Sequence, residues 1–189
     1  MKRWLLMGLV ALLGCVACEK NEDSRKMTPP YEEEIASFDW ATVDGEALKQ
    51  RLMADACSLS AEWSFRGAQG WFESSMLHYF NRYLVEGYLF FEDGIGWKCV
   101  MRGSWEDTSF WEYYHVPFQW EFDVEKGVLL VTPEKSQKTE SWYVLYYDRE
   151  TRLVIGNEPR PGVEASQQLE IRFSEHNYAE WLEKYAPTK

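Results

Sequence analysis

The chain has 189 residues, with 20 Lys and Arg against 31 Asp and Glu, a formal net charge of -11, and 16% aromatic side chains. So acidic a composition argues against nucleic acid as a partner, since phosphate binding needs a basic face, and against charge-driven attraction to anionic head groups. Ten Trp, eleven Tyr and ten Phe suit a well-filled small β core or, less commonly, a surface that stacks on flat ligands.

Residues 1–18 read as an export signal. Lys2 and Arg3 form a positive head, Trp4 to Leu13 form an apolar run too short to span a bilayer, and small residues precede a cysteine. Leu12, Leu13, Gly14 and Cys15 resemble the lipobox of bacterial lipoproteins. The resemblance implies acylation of the cysteine and a lipid anchor in the outer membrane of the cell envelope. Cys15 is the favoured attachment site, with leucine three residues before it and glycine immediately before. Cys18 is the alternative, because Glu19, Lys20, Asn21, Glu22 and Asp23 after it are similar to the acidic stretch of surface-exported lipoproteins of the Bacteroidota. A plain secretory signal without acylation is the remaining alternative.

Residues 19–36 form the expected flexible charged tether, with Pro29 and Pro30, reaching on the order of 25 Å. Residues 37–189 remain for one domain, enough for a true core and too few for two domains of ordinary size. Its first packed element is a predicted helix over 45–55. Asp44 is a good N-cap, Val43 and Leu48 sit at staple positions, and Leu48, Leu52 and Ala56 share a face. From Cys57 the period changes to two, with Cys57, Leu59, Ala61, Trp63 and Phe65 alternating against polar neighbours. Phe72, Met76, Phe80 and Tyr83 then have helical spacing, so 71–84 is expected to be helix.

Asp93 and Gly94 mark a hairpin between 88–92 and 95–102, with Trp97, Cys99 and Met101 on one face of its second strand. Phe118, Trp120, Phe122 and Val124 alternate into a turn at 125–127 and a returning strand over 128–132. A third hairpin joins 141–147 to 152–155. A Pro- and Gly-containing loop over 157–166 precedes a last strand, in which Leu169, Ile171 and Phe173 alternate. Tyr178, Trp181, Leu182 and Tyr185 place a short amphipathic helix at the end.

Eight or so short strands joined in order by turns, with helices at the two ends, point to an antiparallel up-and-down barrel or a strongly curled sheet. Closure would remove the exposed edges of such a sheet. From about Ala47 to Phe173 the chain resembles the lipocalin-like lipoprotein domains of the Bacteroidota. The resemblance is carried by the helix feeding the first strand, by the hairpin at Phe90, Phe91, Glu92, Asp93 and Gly94, and by the strand pairs 120–132 and 142–155.

No catalytic motif is present. His78, His115 and His176 are far apart, no serine has nucleophile-elbow spacing, and no Gly-rich phosphate loop occurs. The adjacent acids Glu92 and Asp93, and Glu106 and Asp107, are expected to be solvated, an unrecognised hydrolase being the minor alternative. A noncatalytic protein without metal or cofactor is therefore expected. Trp63, Trp97, Trp120 and Tyr146 are the rings expected near the barrel interior, lining a small apolar or amphipathic ligand or filling the core. Trp105, Trp111, Tyr113 and Tyr114 lie in or beside a loop that would bind a glycan or an envelope protein, or fold over one barrel end. Cys57 and Cys99 fall on the apolar side of predicted strands, as a disulfide or as two core thiols.

Overall fold

The computed structural model describes residues 32–65, 71–73, 83–103, 112–159 and 166–186. The leader with Cys15 and Cys18, most of the tether, and Trp105, Trp111 and His78 lie outside them. Helix α1 (Glu32–Ser37) overlaps the end of the expected tether and buries no side chain. A 3-10 turn (Trp40–Thr42) follows, capped by the Asp39 carboxylate, which accepts from the Ala41 N–H. Helix α2 (Gly45–Ala54) begins where the capping signal placed it, the Asp44 carboxylate accepting from the Ala47 N–H.

The strands are β1 (Ala56–Phe65), β2 (Trp71–Glu73), β3 (Tyr83–Phe90), β4 (Ile95–Arg102), β5 (Glu112–Asp123), β6 (Val128–Pro133), β7 (Glu140–Tyr147), β8 (Arg152–Gly156) and β9 (Gln167–Ser174), before helix α3 (Glu175–Tyr185). Every described pairing is antiparallel. β1 pairs with β9 from Ala56 opposite Ser174 to Ser64 opposite Gln167, which closes β1 and β3 to β9 into an eight-stranded barrel. β2 is a short extra strand on the upper part of β1. The helix expected over 71–84 is thus strand at Trp71–Glu73 and again from Tyr83, where β3 begins, residues 74–82 lying outside the described ones; pairing with β1 and β4 outweighs a weak periodicity.

β-Bulges interrupt β1, β3 (between Val85 and Gly87) and β7, and those in β1 and β7 reset which described side chains face inward. The β1 bulge lies between Leu59 and Ala61, and the β7 bulge between Val144 and Tyr146. Each inserts one residue, so the alternation changes face beyond it. Cys57 and Leu59 join the interior core, whereas Ala61, Trp63 and Phe65 form a separate cluster with Trp71 outside the barrel.

The lower end of the barrel is sealed. Leu48 and Leu52 of α2 are buried in the same core as Phe90, Phe122, Leu153 and Phe173. The Trp40 indole N–H donates to the Glu125 carbonyl, 3.1 Å, and its ring packs edge-on against Phe122. Arg51 ties α2 to the β7–β8 turn. Its guanidinium donates to the Arg149 carbonyl at 2.6 Å, to the Glu150 carbonyl and to the Asp55 carboxylate, and it lies 4.3 Å from the Phe173 ring centroid. Helix α3 lies on the outer wall, where Trp181 and Tyr185 pack with Ala56, Leu89 and Cys99. No described helix is long and apolar enough to cross a membrane.

Candidate functional site

The barrel encloses a cavity of about 840 Å³, within the range of roughly 300–1,000 Å³ usual for small-molecule sites. Its wall follows from the pleat: alternate residues of each strand face inward. β3 contributes Tyr88 and Phe90, β4 Lys98 and Val100, and β5 Tyr114, Val116 and Phe118. The facing wall is made by Leu129 and Val131 of β6, Trp142 of β7, Ile155 of β8, and Leu169 and Ile171 of β9. Lys135, Ser136 and Glu140 also line it and are solvent-exposed, so the cavity opens at the upper end.

The floor is aromatic. Phe90 meets Phe118 edge-on with centroids 5.6 Å apart and Trp120 with centroids 5.1 Å apart. The Trp120 indole N–H donates to the carbonyls of Phe91, 3.1 Å, and Ile95, 2.9 Å, fastening the β3–β4 hairpin across the bottom.

Below the exposed rim, the polar side chains of the wall are Tyr88 of β3, Lys98 of β4 and Tyr114 of β5. Tyr88 and Lys98 are directly opposite each other in the register and share the inner face. Burial pushes the Tyr88 phenol well above its ordinary pKa, with the carboxylates of Glu62 and Glu140 adding to the rise, so it stays protonated and able to donate. Glu62 reaches this interior through the β1 bulge, which sets it opposite the cavity-lining Leu169.

Of the four rings expected inside, none lines the cavity. Trp120 is interior but forms part of the floor. Trp63 is turned outward by the β1 bulge. Tyr146 is displaced by the β7 bulge, and meets Phe38 edge-on at 6.1 Å. Trp97 faces outward with Cys99, packing on Phe91 and stacking on His115 at 4.1 Å near α3. The alternation on β4 was legible, but α3 covers its outer face, so the more apolar side of that strand looks away from the cavity. Trp142 and Tyr114 occupy the places assigned to those rings. Tyr88 and Lys98 were also missed, although counting outward from the Asp93–Gly94 turn brings them together.

Cys57 and Cys99 are buried free thiols in different clusters. Strand β3 stands between β1 and β4, so the two backbones are about two strand spacings, roughly 9.5 Å, apart. A disulfide needs Cα atoms within about 7 Å, and the two residues remain the core thiols that were the alternative. Burial, with the nearby Asp55 carboxylate, raises the Cys57 pKa and keeps the thiol neutral.

His115 belongs to the outer wall, its Nδ1 lying 2.6 Å from the Tyr185 carbonyl. Asp93 is occupied in the hairpin turn, accepting from the Ile95 N–H. Among the described residues no three His, Cys, Asp or Glu side chains gather as a metal site would require. Tyr113 and Tyr114 are strand residues pointing to opposite faces: Tyr114 lines the cavity, while Tyr113 is exposed outside with the Lys184 ammonium 4.2 Å from its centroid. They do not form the flat aromatic row that would suit a glycan. No protein-family model matches the chain, and no curated protein matches it.

Proposed function

We propose that this chain is a noncatalytic binding protein that holds a small apolar or amphipathic molecule inside its barrel. The observation that carries the reading is the cavity of about 840 Å³, walled by aliphatic and aromatic side chains and open to solvent at one end. A barrel filled by its own side chains would leave no such space. The signal and lipobox-like region at residues 1–18 and the resemblance to lipocalin-like lipoproteins support extending the reading to a lipid-anchored protein of the outer membrane that binds its ligand next to the bilayer.

The test is titration of the full chain with N-phenyl-1-naphthylamine, a neutral apolar dye that fluoresces when removed from water. Saturable binding near one dye per chain is expected, with a loss of at least about tenfold in affinity in Val131→Trp, whose larger ring fills the cavity from the β6 wall. Dye binding that is absent from folded protein, or unchanged in Val131→Trp, overturns the reading.

A further inference from the structure

The wall of the cavity is chemically lopsided. Below the rim, Leu129, Val131, Trp142, Ile155, Leu169 and Ile171 make one side apolar. The other carries Lys98, four residues down β4 from Arg102 and therefore about 13 Å below the end of that strand. A lysine pointing into an apolar bore is costly unless something balances its charge. Among the described residues the Lys98 ammonium has neither ion pair nor hydrogen bond. Nor does any hydrogen bond engage the hydroxyl of Tyr88, its cross-strand neighbour. Their Cβ atoms are about 5 Å apart, a spacing that lets two donors converge on one small group. The other charges facing the bore do not supply the missing partner. Glu140 and Lys135 are at the exposed rim, and Glu62 is engaged with a partner of its own.

Resting on the binding function above, we infer that the ligand is an amphiphile with a carboxylate head, whose two oxygens accept from the Lys98 ammonium and the Tyr88 hydroxyl while its hydrocarbon lies against the β6, β8 and β9 wall. The carboxylate supplies the direct partner that the Lys98 ammonium lacks among the described residues. A charge-assisted hydrogen bond to the half-buried Lys98 is stronger than one between neutral groups.

The experiment compares dodecanoate with dodecan-1-ol as competitors of bound N-phenyl-1-naphthylamine, using the full chain and its Lys98→Met and Tyr88→Phe variants. Methionine keeps the length and apolar character of the lysine stem. In Lys98→Met, dodecanoate affinity should fall at least about tenfold, and dodecan-1-ol affinity should change by less than about threefold. Tyr88→Phe should show the same selective loss with a smaller size. Alcohol binding and the circular dichroism spectrum serve as folding controls. Equal effects on acid and alcohol, or no effect on either, overturn the carboxylate assignment while leaving the cavity reading intact. Failure of the dye to bind wild-type protein overturns both.

Discussion

Replacement of Trp120 by phenylalanine separates a floor from a lining. The indole N–H donates to the Phe91 and Ile95 carbonyls, yet neither carbonyl is orphaned by its loss, because Gly94 N–H still donates to the first and Phe91 N–H to the second. The cost of the missing donor is therefore about 1 kcal/mol rather than the larger penalty of an unsatisfied buried group. Removing the pyrrole part of a ring that is 8% exposed and packed on Phe90 adds about 1–2 kcal/mol. The sum of about 2–3 kcal/mol corresponds to a fall of roughly 5–10 °C in melting temperature for a domain of this size. Dye affinity should stay within about threefold, since Trp120 does not line the cavity. The assays are thermal or urea unfolding by far-UV circular dichroism, and the naphthylamine titration. An unchanged melting temperature with lost dye affinity would refute the assignment of Trp120 to the floor.

Gly87→Ala should destabilise the barrel by more than about 3 kcal/mol in urea unfolding, because Gly87 has φ +152° and a Cβ there would lie 2.0 Å from the Cys57 carbonyl oxygen. Iodoacetamide should leave Cys57 and Cys99 unmodified in folded protein and label both after denaturation without reductant, as peptide mapping will show. Asp148 turns the chain between β7 and β8. Burial works to raise its pKa, but the N–H groups of Arg152, Thr151 and Glu150 outweigh burial and bring it below the ordinary carboxylate value. A depressed folded-state pKa gives stability that is present above the unfolded value of about 3.9 and lost as pH falls through the folded value. The advantage of wild type over Asp148→Asn in melting temperature should thus be level from pH 7 to about 4 and shrink below that. It should amount to about 1 kcal/mol, small because the turn is largely open to solvent.

The meander of the barrel was legible because each hairpin carries its own local signals. Asp93 and Gly94 mark one turn, and the alternations Phe118 to Phe122 and Leu169 to Phe173 declare the inward faces of β5 and β9. The Asp44 cap located α2 to within a residue of its observed end. The inner surface was less legible, and for three separate reasons. A bulge leaves no mark in an alternating pattern, so the exchange of Trp63 for Glu62 and the outward turn of Tyr146 depend on pairings made far along the chain. A strand buried on both faces gives amphipathicity no single meaning, and β4 is such a strand, with α3 over Trp97 and Cys99 and the cavity under Lys98 and Val100. Size misleads as well: Trp120 is large, aromatic and interior, but its donor is committed to backbone at the closed end.

The contrast between the two ends of the barrel bears on how a ligand would reach Lys98. The lower end is held by independent ties from Trp40, Arg51 and Arg149, the last donating to the Thr42 carbonyl, all above a core that contains Leu48 and Leu52. Opening it would require several of these ties to break together with the loss of fully buried leucine surface. The upper rim has Lys135, Ser136 and Glu140 exposed, and passage there disrupts no described core contact. An anion approaching a protein of net charge -11 is repelled at long range, but physiological salt screens that field beyond about 8 Å. The acidic surface should therefore slow entry rather than decide occupancy. On the carboxylate reading, affinity depends instead on the interior, where a half-buried pair is screened less than an exposed one and the Lys98 ammonium has no described partner. Raising salt should consequently speed dodecanoate association more than it changes dodecanoate affinity, whereas a carboxylate held only by the rim lysine would lose affinity as salt rises.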